Sequence, residues 1–128
     1  MRKIVMLAGL VALMSMLFAS VALAMAHQCS GRPCLGTRGD DVLFERPGNG
    51  TPDEIYGRGG GDVLRAQEHT RDRDLLYGGR GRDRLNARDH DRRDYVRGGP
   101  GFDVCIADYS EEIGPGCERV RVDLVLVD

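Results

Sequence analysis

The chain has 128 residues, enough for one ordinary domain, and a formal net charge of −2. Its first 26 residues hold 21 apolar residues and all five methionines; the other 102 are only about three-tenths apolar, with 16 Arg, 14 Asp, 17 Gly and no Lys or Trp. Ordering a hundred residues costs on the order of 150 kcal/mol, which excludes a conventional globule held by so thin a core alone.

The amino terminus begins with Arg2 and Lys3, followed by an apolar run over 4–18 that only Gly9 and Ser15 interrupt, and then by Ala19, Ser20, Ala22, Ala24 and Ala26. This is the layout of a secretory signal peptide. Cleavage fits after Ala24 or after Ala26; the latter is favoured and makes His27 the mature terminus. The run is short for a membrane span of about 20 residues, so no span is expected after processing. Export permits disulfides, and Cys29, Cys34, Cys105 and Cys117 all lie beyond the leader. Three pairings are possible. Cys29 with Cys34 and Cys105 with Cys117 is the simplest, and free thiols are the alternative.

The middle of the chain repeats. Residues 36–44, 57–65, 78–86 and 98–106 form four nine-residue copies. Glycine fills the first and fourth places of each: Gly36 and Gly39, Gly57 and Gly60, Gly78 and Gly81, Gly98 and Gly101. Aspartate fills the sixth place, as Asp41, Asp62, Asp83 and Asp103. Leu43, Leu64, Leu85 and Cys105 fill the eighth. Weaker copies at 48–56, 69–77 and 89–97 keep the Asp-x-apolar ending through Asp53, Asp74 and Asp94.

These copies resemble the glycine-rich nonapeptide GGxGxDxUx of the hemolysin-type (RTX) repeat family. Each copy reads as a six-residue turn and a three-residue strand whose eighth place points inward, because side chains alternate across a strand. Two copies make one coil. The expected fold is all-β: a short parallel β-roll, or β-helix solenoid, of about four coils with disulfide-linked end caps. One sheet carries Leu43, Leu64, Leu85 and Cys105 inward and the other Ile55, Leu76 and Val96, and no coil can bury its apolar face without a neighbour. The organisation is leader 1–26, N-terminal cap 27–35, repeat 36–106 and C-terminal cap strands 107–128. In the tail, Glu118-Arg119-Val120 repeats the acid-x-apolar ending and is expected to extend the second sheet, with a further strand through Val122, Leu124 and Leu126.

The resemblance implies calcium as cofactor. Asp41, Asp62, Asp83 and Asp103 are then the ligand aspartates, and the eight glycines named above line the turns that supply carbonyls. Asp53, Asp74 and Asp94 form a second column whose turns have lost their glycines, so weaker sites are expected there. It also resembles small secreted calcium-binding proteins of bacteria. A competing reading places Arg58, Arg80 and Arg82 against the aspartates, giving a metal-independent, structural solenoid. Residues 71–97 carry nine Arg against six Asp, which raises binding of a polyanion such as a cell-envelope polymer. Thin aromatic content argues against specific nucleic-acid recognition. Oligomeric state is not readable. No HExxH, GxSxG or phosphate-loop motif is present, so no catalysis is expected.

Overall fold

The computed structural model describes residues 25–29, 33–46, 53–66 and 72–123. The leader up to Ala24 and the tail positions Leu124 and Leu126 lie outside them. The described residues form ten strands: β1 (Met25–Cys29), β2 (Cys34–Leu35), β3 (Asp41–Glu45), β4 (Glu54–Gly59), β5 (Val63–Arg65), β6 (Leu75–Arg80), β7 (Arg84–Ala87), β8 (Tyr95–Arg97), β9 (Val104–Ala107) and β10 (Arg119–Val122), with one 3-10 turn at Ser110–Glu112.

Successive strands alternate between two parallel sheets, ordered β1-β3-β5-β7-β9-β10 and β2-β4-β6-β8. The repeat sets the register. Leu43 pairs with Leu64, Leu64 with Leu85 and Leu85 with Cys105 in the first sheet; Ile55 pairs with Leu76 and Leu76 with Val96 in the second. These side chains are buried and form one thin core, which also includes Cys29, Cys34, Ala66 and Ala87. The fold class is therefore the parallel β-solenoid that the nonapeptides imply. On the outer face of the second sheet, Tyr56 and Tyr77 occupy paired positions and stack with ring centroids 4.8 Å apart, the spacing of neighbouring strands.

Both disulfides form between the close pairs, Cys29–Cys34 and Cys105–Cys117. The first joins the end of β1 to the start of β2, so the N-terminal cap is itself a rung laid on β3 and β4. β1 begins at Met25, two residues before His27 and directly after Ala24.

Two expectations change. β4 and β6 run six residues, continuing through Gly57 and Gly78 into the turn places, with Arg58 paired to Gly79 and Gly59 to Arg80. The tail strand β10 extends the first sheet, pairing with β9, and not the second. The reason is chain order: Ile113 has already bridged to Val96 at the edge of the second sheet. The chain then crosses to the first, where Cys117 is tied to Cys105.

Candidate metal centre

The sixth-place aspartates stack in a buried column along the first sheet. The backbone N–H of Asp41 donates to Oδ1 of Asp62, that of Asp62 to Oδ1 of Asp83, and that of Asp83 to Oδ1 of Asp103, each at 2.8 Å. Glu118 ends the series, its Oε2 accepting from the N–H of Asp103 at 2.7 Å. Asp62, Asp83 and Asp103 thus each spend one oxygen tying their coil to the preceding one. The other, Oδ2, is buried and has no hydrogen-bond partner in Asp62, Asp83 and Asp103. Asp41 differs, since its Oδ2 accepts from the Thr37 hydroxyl at 2.9 Å and from the Thr37 N–H.

The first-place glycines explain where Oδ2 points. A Cβ at Gly57 would strike Asp62 Oδ2 and the Gly78 carbonyl; one at Gly78 would strike Asp83 Oδ2 and the Gly98 carbonyl; one at Gly98 would strike Asp103 Oδ2 and the Gly116 carbonyl. Aspartate oxygen and next-coil carbonyl therefore converge over each glycine, in space that any side chain would fill. Gly116 continues this series beyond the last copy. The fourth-place glycines serve closeness of backbones: Gly60, Gly81 and Gly101 stack directly on the glycine carbonyl one coil away, with φ of 107°, 134° and 147°, values that other residues rarely adopt.

A second column lies along the other sheet. The N–H of Asp53 donates to Asp74 Oδ1 at 2.8 Å and that of Asp74 to Asp94 Oδ1 at 2.9 Å. Glu112 ends it by accepting from the Asp94 N–H, as Glu118 ends the first. Additional acids gather here: Glu45, Asp72 and Asp74 bring carboxylate oxygens within 4.8 Å of one another, and so do Asp89, Asp91 and Asp94. Asp72, Asp89, Asp91 and Asp108 were not singled out by the repeat pattern, because they sit outside the sixth place. The signal that marks them is the dense acid spacing of 89, 91 and 94 within a single turn.

Burial drives the protonation of these groups. It raises Asp62 and Asp74 to about 6, Asp89 to about 7 and Asp94 to about 9, with neighbouring carboxylates adding to the rise and backbone N–H donors opposing it. Asp83, Asp103 and Glu112 move upward for the same first reason. A buried carboxylate without a counter-charge is costly, and either a proton or a bound cation relieves that cost. The turn arginines Arg58, Arg80 and Arg82 do not lie against the aspartates. They are exposed; the Arg58 guanidinium reaches the Gly36 carbonyl at 3.5 Å and that of Arg82 lies over the Phe102 ring.

Residues 70–105 match the family model of the RTX calcium-binding nonapeptide repeat (4 copies). The match runs from just before β6 into β9 and takes in Asp74, Asp83, Asp94 and Asp103, including the glycine-poor copies. No curated protein and no solved structure matches the chain. Residues 70–105, which contribute Asp74 and Asp94 to one column and Asp83 and Asp103 to the other, are thus similar to RTX calcium-binding nonapeptide repeats.

Proposed function

We propose that this chain is an exported calcium-binding module in which calcium completes the fold. The observation that carries the reading is the row of buried, partnerless Oδ2 atoms of Asp62, Asp83 and Asp103, each facing a glycine and a carbonyl of the next coil. Calcium takes roughly six to eight oxygen ligands from carboxylates and carbonyls, and an all-oxygen lining suits a hard cation. Asp62, Asp83 and Asp103 would hold it together with carbonyls of the stacked turns. The ion supplies positive charge where the column otherwise sets like charges one coil apart.

Export rests on the leader-like start and on the two disulfides, which persist in oxidising compartments. No catalytic constellation was found in the sequence, so the module acts by binding, as a component of the envelope or of the extracellular space. Far-UV circular dichroism and calorimetry with millimolar calcium test the reading. Gain of β signal with heat of binding supports it; an identical spectrum and no heat in calcium and in chelator overturn it.

A further inference from the structure

We propose that Asp89, Asp91 and Asp94 form a second kind of calcium site, built from three carboxylates of one turn and not from stacked glycine turns. The proposal rests on the calcium reading for the class of ion, but on different residues. The turn between β7 and β8 fills the six turn places with Asp89-His90-Asp91-Arg92-Arg93-Asp94. Both glycine places are lost, and with them the space over a first-place glycine. Acids at the first and third places bring side-chain oxygens instead, and with Asp94 these lie within 4.8 Å of one another.

A second observation distinguishes this group from an ordinary acidic surface. Asp89 and Asp94 are only 2% and 4% exposed, yet Oδ2 of each, and Oδ2 of Asp91, has no hydrogen-bond partner. Their Oδ1 atoms are engaged: Asp89 accepts from the Asp91 N–H at 2.9 Å, Asp91 from the Arg93 N–H at 2.7 Å and Asp94 from the Asp74 N–H at 2.9 Å. The turn is thus braced while each of the three carboxylates keeps one oxygen without a partner. Asp108 underlies it, its Oδ2 accepting from the N–H groups of Asp89 and His90 at 2.8 and 2.6 Å, while its buried Oδ1 also lacks a partner. Arg92 of this turn lies 4.1 Å over the Tyr109 ring, and the neighbouring Arg88 pairs with Asp123 at 3.0 Å.

Ligand charge and rigidity raise calcium affinity. Three carboxylates in one braced turn therefore bind more tightly than glycine turns that contribute one carboxylate per coil. Asp72, at the fourth place of the preceding weak copy, gathers with Asp74 and with Glu45 of β3, so an acid stands in a glycine place there too.

Calcium calorimetry on the disulfide-bonded protein, stripped with chelator, tests the assignment through Asp91→Asn and Asp89→Asn against Asp62→Asn. Each asparagine keeps the Oδ1 acceptor, and circular dichroism in saturating calcium verifies folding. The expected result is a tight class of sites that either of the first two variants weakens at least tenfold, or removes, and that Asp62→Asn retains. If Asp91→Asn and Asp89→Asn titrate like the unsubstituted protein while Asp62→Asn loses binding, the inference is overturned and the calcium reading stands. If the unsubstituted protein gives no heat, both fall.

Discussion

The N–H of Asp62 donates to Oδ1 of Asp83 across 2.8 Å, while Oδ2 of the same Asp83 carboxylate is buried without a partner. One side chain thus has two separable duties: a neutral one that staples coils together and a charged one that awaits a cation. Asp83→Asn preserves the first and deletes the second; Asp83→Ala deletes both. In chelator the asparagine variant should melt at or above the unsubstituted protein, because an unpaired buried charge is gone. The alanine variant should lose about 1–3 kcal/mol by orphaning the Asp62 N–H. In calcium both should lack part of the calcium-induced rise in melting temperature. Equal behaviour of the two variants in chelator would contradict this division.

The same buried acids set an unusual pH dependence. Folding raises Asp62 and Asp74 from 3.8 to about 6, Asp89 to about 7 and Asp94 to about 9. The folded protein without metal therefore binds protons more tightly than the unfolded chain. The associated stability is complete below the unfolded value near 3.8 and is lost as pH rises through 6 to 9. Chelated protein should accordingly melt at a lower temperature at pH 8 than at pH 5. Calcium-loaded protein should show the opposite trend, since protons compete with the ion for the same oxygens. Scanning calorimetry across pH 5–8 in chelator and in calcium checks it; a chelated melting temperature that climbs with pH refutes it.

Much of this was legible in the sequence because a solenoid turns a linear period into a spatial column. Leu43, Leu64 and Leu85 are 21 residues apart in sequence and directly paired in space, so the spacing alone gives sheet, register and core. The column Asp41–Asp62–Asp83–Asp103 follows from the same arithmetic. The remainder depends on residues outside the period. Asp89, Asp91 and Asp108 gather through a turn whose path no repeat dictates. The ends of the columns are set by Glu112 and Glu118, which come from the tail after the spacing has changed. The sheet that β10 joins lies outside the period for the same reason: it depends on how Ile113 and the Cys105–Cys117 bridge order the tail in three dimensions.

Arg58 occupies the second turn place with φ of 81°, where the next two copies have Gly79 and Gly99 at 107° and 109°. A left-handed backbone costs a non-glycine residue roughly 1–2 kcal/mol. Arg58→Gly should therefore stabilise the protein by up to about 1 kcal/mol, the gain reduced by the extra freedom that glycine has in the unfolded chain. Gly81→Ala should do the reverse, because its Cβ would enter the Gly60 carbonyl at a φ of 134°. A cost above about 2 kcal/mol is expected there. Gly59→Ala, whose nearest neighbour would be 3.8 Å away, is the control and should stay within about 1 kcal/mol. Urea titrations of the three variants measure all of these.

The Cys105–Cys117 bridge closes a sequence separation of 12 residues, worth about 3 kcal/mol in the chain-entropy account. Its structural effect is local. Cys105 is fully buried where the earlier copies place leucine, and its partner holds the tail so that β10 covers the edge of β9 and Glu118 reaches the Asp103 N–H. Replacing both cysteines by alanine should free β10 first. The amide of Arg119, which donates to the Asp103 carbonyl at 3.0 Å, should exchange with solvent much faster, and so should that of Asp103. The amides of Leu75 and Arg84, which donate to Asp53 and Asp62 at 2.9 and 2.8 Å, lie in coils that keep both neighbours and should change far less. A uniform acceleration at all four positions would mean that the bridge stabilises the whole solenoid and does not specifically cap its last coil. Hydrogen exchange read residue by residue separates the two outcomes, since a linear stack can open at one end while its interior stays closed.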